Sequence, residues 1–253
     1  MLTINKYVKV KNLEEAWVLN QNKKNHILGG MLWLKMSDIT IPTAIDLSGL
    51  GLDTIEETDE EFMIGCMVSL RQLETNPSLQ NYSNNTIKEA LRHIVGVQFR
   101  NLATVGGSIY GRYGFSDVLT LLLSMDTYVE LYKGGIVPLK EFIHMPDDRD
   151  ILVRIRIKKT KGKFYYASVR NSKTDFPVIA VACSSMNGKY HFSIGARPGK
   201  AILFEKNDNE KLDIEAFVKE VPTSSNLRAS AEYRSHLIKV LVQRALQQLG
   251  VES

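Results

Sequence analysis

The chain has 253 residues, 44% of them hydrophobic and 24% charged, enough for one large or two modest cores. Its net charge of +4 comes from scattered basic residues, apart from "KKTKGK" at 158–163, which lacks interleaved aromatics, so nucleic acid is not an expected partner. No apolar run approaches the roughly 20 residues that span a bilayer, the N-terminal "MLTINKYVKVKNLEEAW" has no signal-peptide core, and Cys66 and Cys183 stand far apart with no CxxC spacing, which excludes a zinc or iron–sulfur site built by this chain alone. A cytoplasmic chain without membrane association or its own metal is expected.

In chain order, "KVKNLEEAWVLNQ" predicts a first helix, with Asn12 as N-cap and Glu15 closing a capping box. "HILGG" reads as a short buried strand, His26 to Leu28, ending at Gly29-Gly30, and "TAIDLSGL" as a second strand. "DTIEETDEEFMIGCMVSLRQLE" predicts an antiparallel pair turning in its acidic middle, then a helix capped by Ser69 with Gln72. "TIKEALRHIV" is amphipathic. "TYVELYKGGIVPLKEF" predicts a hairpin turning at Gly134-Gly135, and "ILVRIRIKK" a half-exposed strand. "KKTKGK" reads as a solvated hairpin tip, with a domain boundary near it. "PVIAVACSSMNGKYHFSIGA" is a hairpin whose Asn187-Gly188 suits a type I′ turn. A long helix from about Ala229 to Leu249 ends at Gly250. The mixture favours an α+β fold over a doubly wound parallel sheet.

Two diglycines carry the chemical question. Glycine lets another group approach its backbone and tolerates positive φ, and consecutive N–H groups in such a turn make a concave anion site. Gly29-Gly30 and Gly106-Gly107-Ser108 could thus grip the two phosphates of a dinucleotide; two tight turns alone would also explain them. No GxxxxGK[ST] or GxGxxG motif is present, and the five histidines show no HxxxH or HExxH spacing. Asp117, before the apolar run "VLTLLLSM", is either a helix N-terminal acid or an acceptor for a ribose hydroxyl or adenine amine of the same ligand.

The stretch "RNLATVGGSIYGRYGFSDVLTLLLSMDTYVEL" resembles the second FAD loop in flavoprotein subunits of the molybdenum hydroxylases, the xanthine dehydrogenase and aerobic carbon monoxide dehydrogenase family. "HILGGMLWLKM" resembles their first FAD loop. "IDLSGL", "FMIGCMVSLRQLE", "VRNSKTDFPVIAVA" and "LRASAEYRSHLIKVLVQRAL" continue the likeness in order along nearly the whole chain. The resemblance implies an α+β, vanillyl-alcohol-oxidase-type (PCMH) FAD-binding domain of two subdomains at 1–160, and a smaller C-terminal α/β domain at 161–253. FAD would lie between them. Carried over by position, Leu28, Gly29, Gly30 and Met31 belong to the first loop, and Thr104, Gly106, Gly107, Ser108 and Asp117 to the second. Arg92 and Ile94 match positions near the flavin ring, Leu152 matches an apolar contact to it, and the loop from Arg170 to Phe176 matches the segment that approaches the ring.

There are departures. Met31 and Leu32 replace small polar residues, Ala167 stands where some relatives carry a lysine, and "NSKTDF" replaces a more basic pattern. Tyr110 or Tyr113 either shields the flavin or packs on the surface. The resemblance implies an oxidoreductase subunit with no catalytic side chain of its own. A large molybdopterin subunit would oxidise the substrate, a small [2Fe–2S] subunit would relay electrons, and FAD on this chain would pass them to NAD⁺ or another acceptor. The rivals are a free-standing FAD-dependent reductase of the same fold, and a structural subunit that has lost FAD.

Overall fold

The computed structural model describes residues 1–250. In chain order its elements are β1 (Thr3–Ile4), β2 (Tyr7–Lys9), α1 (Leu13–Asn20), β3 (His26–Leu28), β4 (Thr40–Ile41), β5 (Ala44–Asp46), β6 (Ile55–Glu57), β7 (Glu61–Gly65), α2 (Leu70–Thr75), α3 (Pro77–Tyr82), α4 (Thr86–Leu91), α5 (Val97–Leu102), α6 (Val105–Tyr110), α7 (Asp117–Leu123), β8 (Thr127–Leu131), β9 (Gly135–Pro138), α8 (Leu139–Phe142), β10 (Leu152–Lys158), β11 (Gly162–Arg170), β12 (Pro177–Met186), β13 (Lys189–Gly195), β14 (Ile202–Asn207), α9 (Ile214–Glu220) and α10 (Ala231–Leu249).

The first strands form a small parallel sheet in the order β2-β5-β3, beside the parallel pair β1-β4. A second sheet is antiparallel, in the order β6-β7-β10-β8-β9. Its inner face shares one apolar core with α2, α4, α6 and α7, where Phe62, Ile64, Val129, Ile155 and Ile157 are closed to solvent. The alternation in "LVRIRIK" decides which face of β10 is buried. Ile155 and Ile157 go inward, while Arg154 and Arg156 pair with Glu130 and Glu61 outside.

The last strands form a third antiparallel sheet, β11-β12-β13-β14, covered on one face by α9 and α10. This C-terminal unit was expected to be α/β; its all-antiparallel pairing makes it α+β. Nor is "KKTKGK" a hairpin tip. It joins β10 of one sheet to β11 of another, since each strand already has its partners elsewhere. Asn187 and Gly188 have φ of 52° and 74°, as a type I′ turn requires. α10 begins at Ser230, whose hydroxyl accepts the Tyr233 N–H, and ends at Gly250, with φ of 86°. The Asn12 cap is half a capping box: Asn12 accepts the Glu15 N–H, but the Glu15 carboxylate takes the Lys11 N–H.

α7 links the units. All seven of its residues are buried, and it contacts β12 and β13 as well as α4, α6 and α8. Thr120 Oγ1 lies 2.0 Å from where a Cβ on Gly195 would stand, so only glycine admits that approach.

Candidate functional site: a cleft between the glycine segments

A cleft of about 530 Å³ opens where β3 ends, beside α6, α7 and the loop after β11. Its first wall is the chain leaving β3. From Gly29 to Trp33, no backbone N–H donates to another described residue. Five consecutive amides are therefore left for a ligand or water; those of Gly30, Met31 and Leu32 belong to half-buried residues, where amides seldom go unpaired. Met31 has φ of 57°, a conformation costly for a side-chain-bearing residue, which turns the chain here before the 3₁₀ turn at Leu34–Met36.

The second glycine segment was expected to be a turn. It is instead the helix α6, with Thr104 as N-cap accepting the Gly107 N–H at 3.2 Å. Its first amides are mostly spent: Val105 donates to the Val68 carbonyl, Gly106 to that of Cys66, and Ser108 to that of Thr104. The Ser108 hydroxyl also donates to Thr104 O, at 3.0 Å. None of the four glycines has positive φ. Two of them, Gly30 and Gly106, are required by close approach of backbone. A Cβ on Gly30 would stand 2.0 Å from the Leu102 carbonyl oxygen, and one on Gly106 would stand 2.6 Å from that of Cys66. The two glycine segments thus touch, and the Thr104 hydroxyl lies against both.

Asp117, 5% exposed, opens α7 at one end of the cleft. It is an ion-pair partner rather than a bare helix acid. Arg170 Nη2 donates to its Oδ1 at 2.6 Å, and the Tyr166 hydroxyl donates to the same oxygen. Burial raises its carboxyl above the ordinary aspartate value, against the opposing pull of Arg170 and Tyr166. The sequence reading set Arg170 near the ring and Asp117 at the sugar or adenine end; the fold joins them in one contact.

Aromatic rings close the mouth. Trp33 stacks on Phe176 with centroids 5.9 Å apart, and meets Phe99 and Phe115 edge-on at 6.4 and 6.3 Å. Tyr113 stacks on Phe115 at 5.2 Å. Of the two tyrosines considered as shields, Tyr113 lines the cleft. Tyr110 packs on Phe142 and donates to Asp147 at 2.8 Å, outside it.

Of the residues selected from sequence, Gly29, Gly30, Met31, Ile94, Thr104, Gly107, Ser108 and Asp117 line the cleft, and four do not. Leu28 packs with Ile41 and Ala44. Gly106 is pressed against Cys66. Leu152 is a core residue of β10. Arg92 is 52% exposed and pairs with Glu89 at 3.1 Å, on the solvent side of α4. The loop from Arg170 to Phe176, expected to approach the ring, lines the cleft through Arg170, Thr174, Asp175 and Phe176, whereas sequence reasoning missed Trp33, Phe99, Phe115 and Val95 as lining residues. The aromatic signal was spread over four separate segments.

A family model described as the FAD binding domain in molybdopterin dehydrogenase matches residues 2–158. The chain belongs to this family. Among relatives of this FAD-binding chain, the uncharacterized protein YgfM of Escherichia coli K12 is 25% identical over 205 residues, 79% of this chain and 77% of YgfM. The glyceraldehyde dehydrogenase medium chain of Sulfolobus acidocaldarius is 22% identical over 275 residues, 96% of this chain and 98% of that one. In fold, the chain is similar to a chain of carbon monoxide dehydrogenase from Hydrogenophaga pseudoflava, with a TM-score of 0.84 at 20% identity, covering 97% and 96% of the two chains. It is also similar to a chain of quinoline 2-oxidoreductase from Pseudomonas putida 86, with a TM-score of 0.82 at 18% identity, covering 98% and 96%.

The residues present fit the family's cofactor. Five free amides in sequence suit a diphosphate, a buried carboxylate suits a hydroxyl or amine donor, and aromatic and aliphatic walls suit a flat ring. The apolar Met31 and Leu32 remove no amide from the run, so the departure from small polar residues leaves that donor set intact.

Proposed function

We propose that this chain is the FAD-carrying electron-transfer subunit of a molybdenum hydroxylase complex, with residues 1–160 as a PCMH-type FAD-binding domain and 161–253 as a smaller domain that closes over it. The observation that carries the reading is the run of unpaired amides from Gly29 to Trp33, which lines one cleft together with Gly107. These amides hold the diphosphate, and Gly107 and Ser108 line the same cleft. Asp117 accepts from the ribose or adenine, and Ile94 packs near the flavin. When bound, FAD supplies the redox chemistry. The chain's residues bind it, orient it and keep water from its apolar side. No group of three His, Cys, Asp or Glu able to hold a metal gathers among the described residues. On this reading electrons arrive from [2Fe–2S] clusters on a small partner, after substrate oxidation on a large molybdopterin partner, and leave to NAD⁺ or another acceptor.

An obligate assembly of this kind buries on the order of 2,000 Å² or more. Purification of the native protein is expected to bring down an iron–sulfur and a molybdopterin subunit, and the isolated chain is expected not to oxidise purines, aldehydes or carbon monoxide. A lone species that oxidises a substrate unaided would replace this reading with that of a free-standing flavoenzyme.

A further inference from the structure

We infer that Trp33 is the latch of the cleft: its ring, stacked on Phe176, closes the wall between the cavity and solvent, and the cofactor enters and leaves when that ring swings out. The inference rests on the reading that the cleft holds FAD.

Four rings from four separate segments meet at the mouth, and Trp33 touches the other three. It stacks on Phe176 at 5.9 Å with the planes 24° apart, and meets Phe99 and Phe115 edge-on. Phe115 and Phe176 also pack on each other, at 4.3 Å. Trp33 lines the cleft and yet is 44% exposed, so one side of its side chain borders the cavity and another borders water. Phe99, Phe115 and Phe176 are each half-buried, which makes Trp33 the outermost ring of the four.

The chain around Trp33 is anchored without its ring. Gly30 is pressed against the Leu102 carbonyl, Met31 and Leu34 pack with Leu28, Ile41 and Ala44, and the Met36 N–H donates to the Trp33 carbonyl at 3.1 Å. The seat of the ring is fixed as well. The Phe176 N–H donates to Asp175 Oδ1 at 2.7 Å, Arg170 Nη1 donates to the Asp175 carbonyl at 2.6 Å, and the Arg228 guanidinium lies over the Phe176 ring at 5.1 Å. Between an anchored backbone and a fixed seat, the indole is the part free to turn. An exposed side chain changes rotamer quickly on its own; three ring contacts make the open state a rarer, local event. Such a latch slows entry and exit alike. A contact to the bound ligand slows exit alone, and this difference makes the two roles separable.

The test measures FAD association by stopped flow, and dissociation into an excess of a flavin-trapping apoprotein, on the full chain with melting temperatures recorded beside the rates. Trp33→Ala keeps the backbone amide and removes the ring. Both rate constants are expected to rise, dissociation by about tenfold or more, because three ring contacts are lost. Trp33→Phe keeps a smaller ring; its rates are expected to lie between, and it carries the comparison if the alanine variant fails to fold. Phe176→Leu withdraws the seat of the stack and is expected to raise both rates too. Added to Trp33→Ala it should change them by less than about twofold, because the two substitutions open one latch. Faster dissociation with unchanged association in Trp33→Ala would make the indole a ligand contact and overturn the latch. Wild-type rates, or independent effects of the two substitutions, would overturn it as well while leaving FAD in the cleft. A wild-type chain that binds no FAD removes the underlying reading, and the latch with it.

Discussion

Glu74 shows how one buried residue shapes the cleft from outside it. It is 4% exposed, and Arg100, equally buried, grips both its oxygens, with Nε to Oε2 at 2.9 Å and Nη2 to Oε1 at 3.2 Å. Arg71 adds a bond at 2.9 Å. Arg100 Nη1 reaches on to the Ile94 carbonyl, fixing the segment where Val95 takes a φ of 51°, a strained value for a β-branched residue. Burial works against the charged form of Glu74, but the hydrogen bonds from Arg100 and Arg71 outweigh it and hold the carboxyl below its ordinary range. A depressed carboxyl contributes stability that is present above the unfolded-state value, about 4.3, and is lost as pH falls through the folded value. The urea midpoint is therefore expected to drop below about pH 4 in the wild type. Glu74→Gln should be less stable at pH 7, by about 3–5 kcal/mol, because Arg100 is left unpaired, and its midpoint should fall less on acidification. Parallel wild-type and variant curves would remove Glu74 from the account. At this scale the sequence showed Asp117 as an acid at a helix start. It could not show Arg170 or Arg100, because their partners stand 53 and 26 residues away along the chain.

Among elements, those ruled by local chemistry were legible. The Ser69–Gln72 capping box, the Asn187-Gly188 turn, the acidic turn between β6 and β7, and the Ser230-to-Gly250 helix each rest on neighbours in sequence. The helix α6 was not, because two glycines disfavour helix and it is held by the Thr104 cap and by packing on β10 and α7. Its glycines separate two roles that sequence could not divide. Gly30→Ala would drive a Cβ into a backbone carbonyl at 2.0 Å, so the glycine contact must spread; a loss of about 1–3 kcal/mol in urea unfolding is expected, with FAD binding lost as well. At Gly107 a Cβ would meet only Thr104 Oγ1, at 3.1 Å. Alanine there also gains about 0.5–1 kcal/mol of helix preference. Gly107→Ala is expected to fold as well as the wild type yet bind FAD more weakly, since Gly107 lines the cleft. Equal effects of the two substitutions on stability would show that the glycine segments do not differ in this way.

On the scale of the whole molecule, the cleft exists because α7 packs on the third sheet, shares the apolar core of the second, and sets Asp117 against β11. The order of motifs along the chain made the family legible. The aromatic mouth formed by Trp33, Phe99, Phe115 and Phe176 was not, since it arises only when four distant segments meet. No helix among the described residues is long and apolar enough to cross a membrane. The central claim is that this cleft holds FAD through free amides and a buried carboxylate, without a covalent bond. Its most direct test is to strip the purified full-length chain, titrate it with FAD, and follow flavin absorbance and fluorescence before and after denaturation. The account predicts saturation at one FAD per chain, with all of the flavin released on unfolding. A chain that takes up no FAD, or flavin that stays attached to the denatured protein, would contradict it.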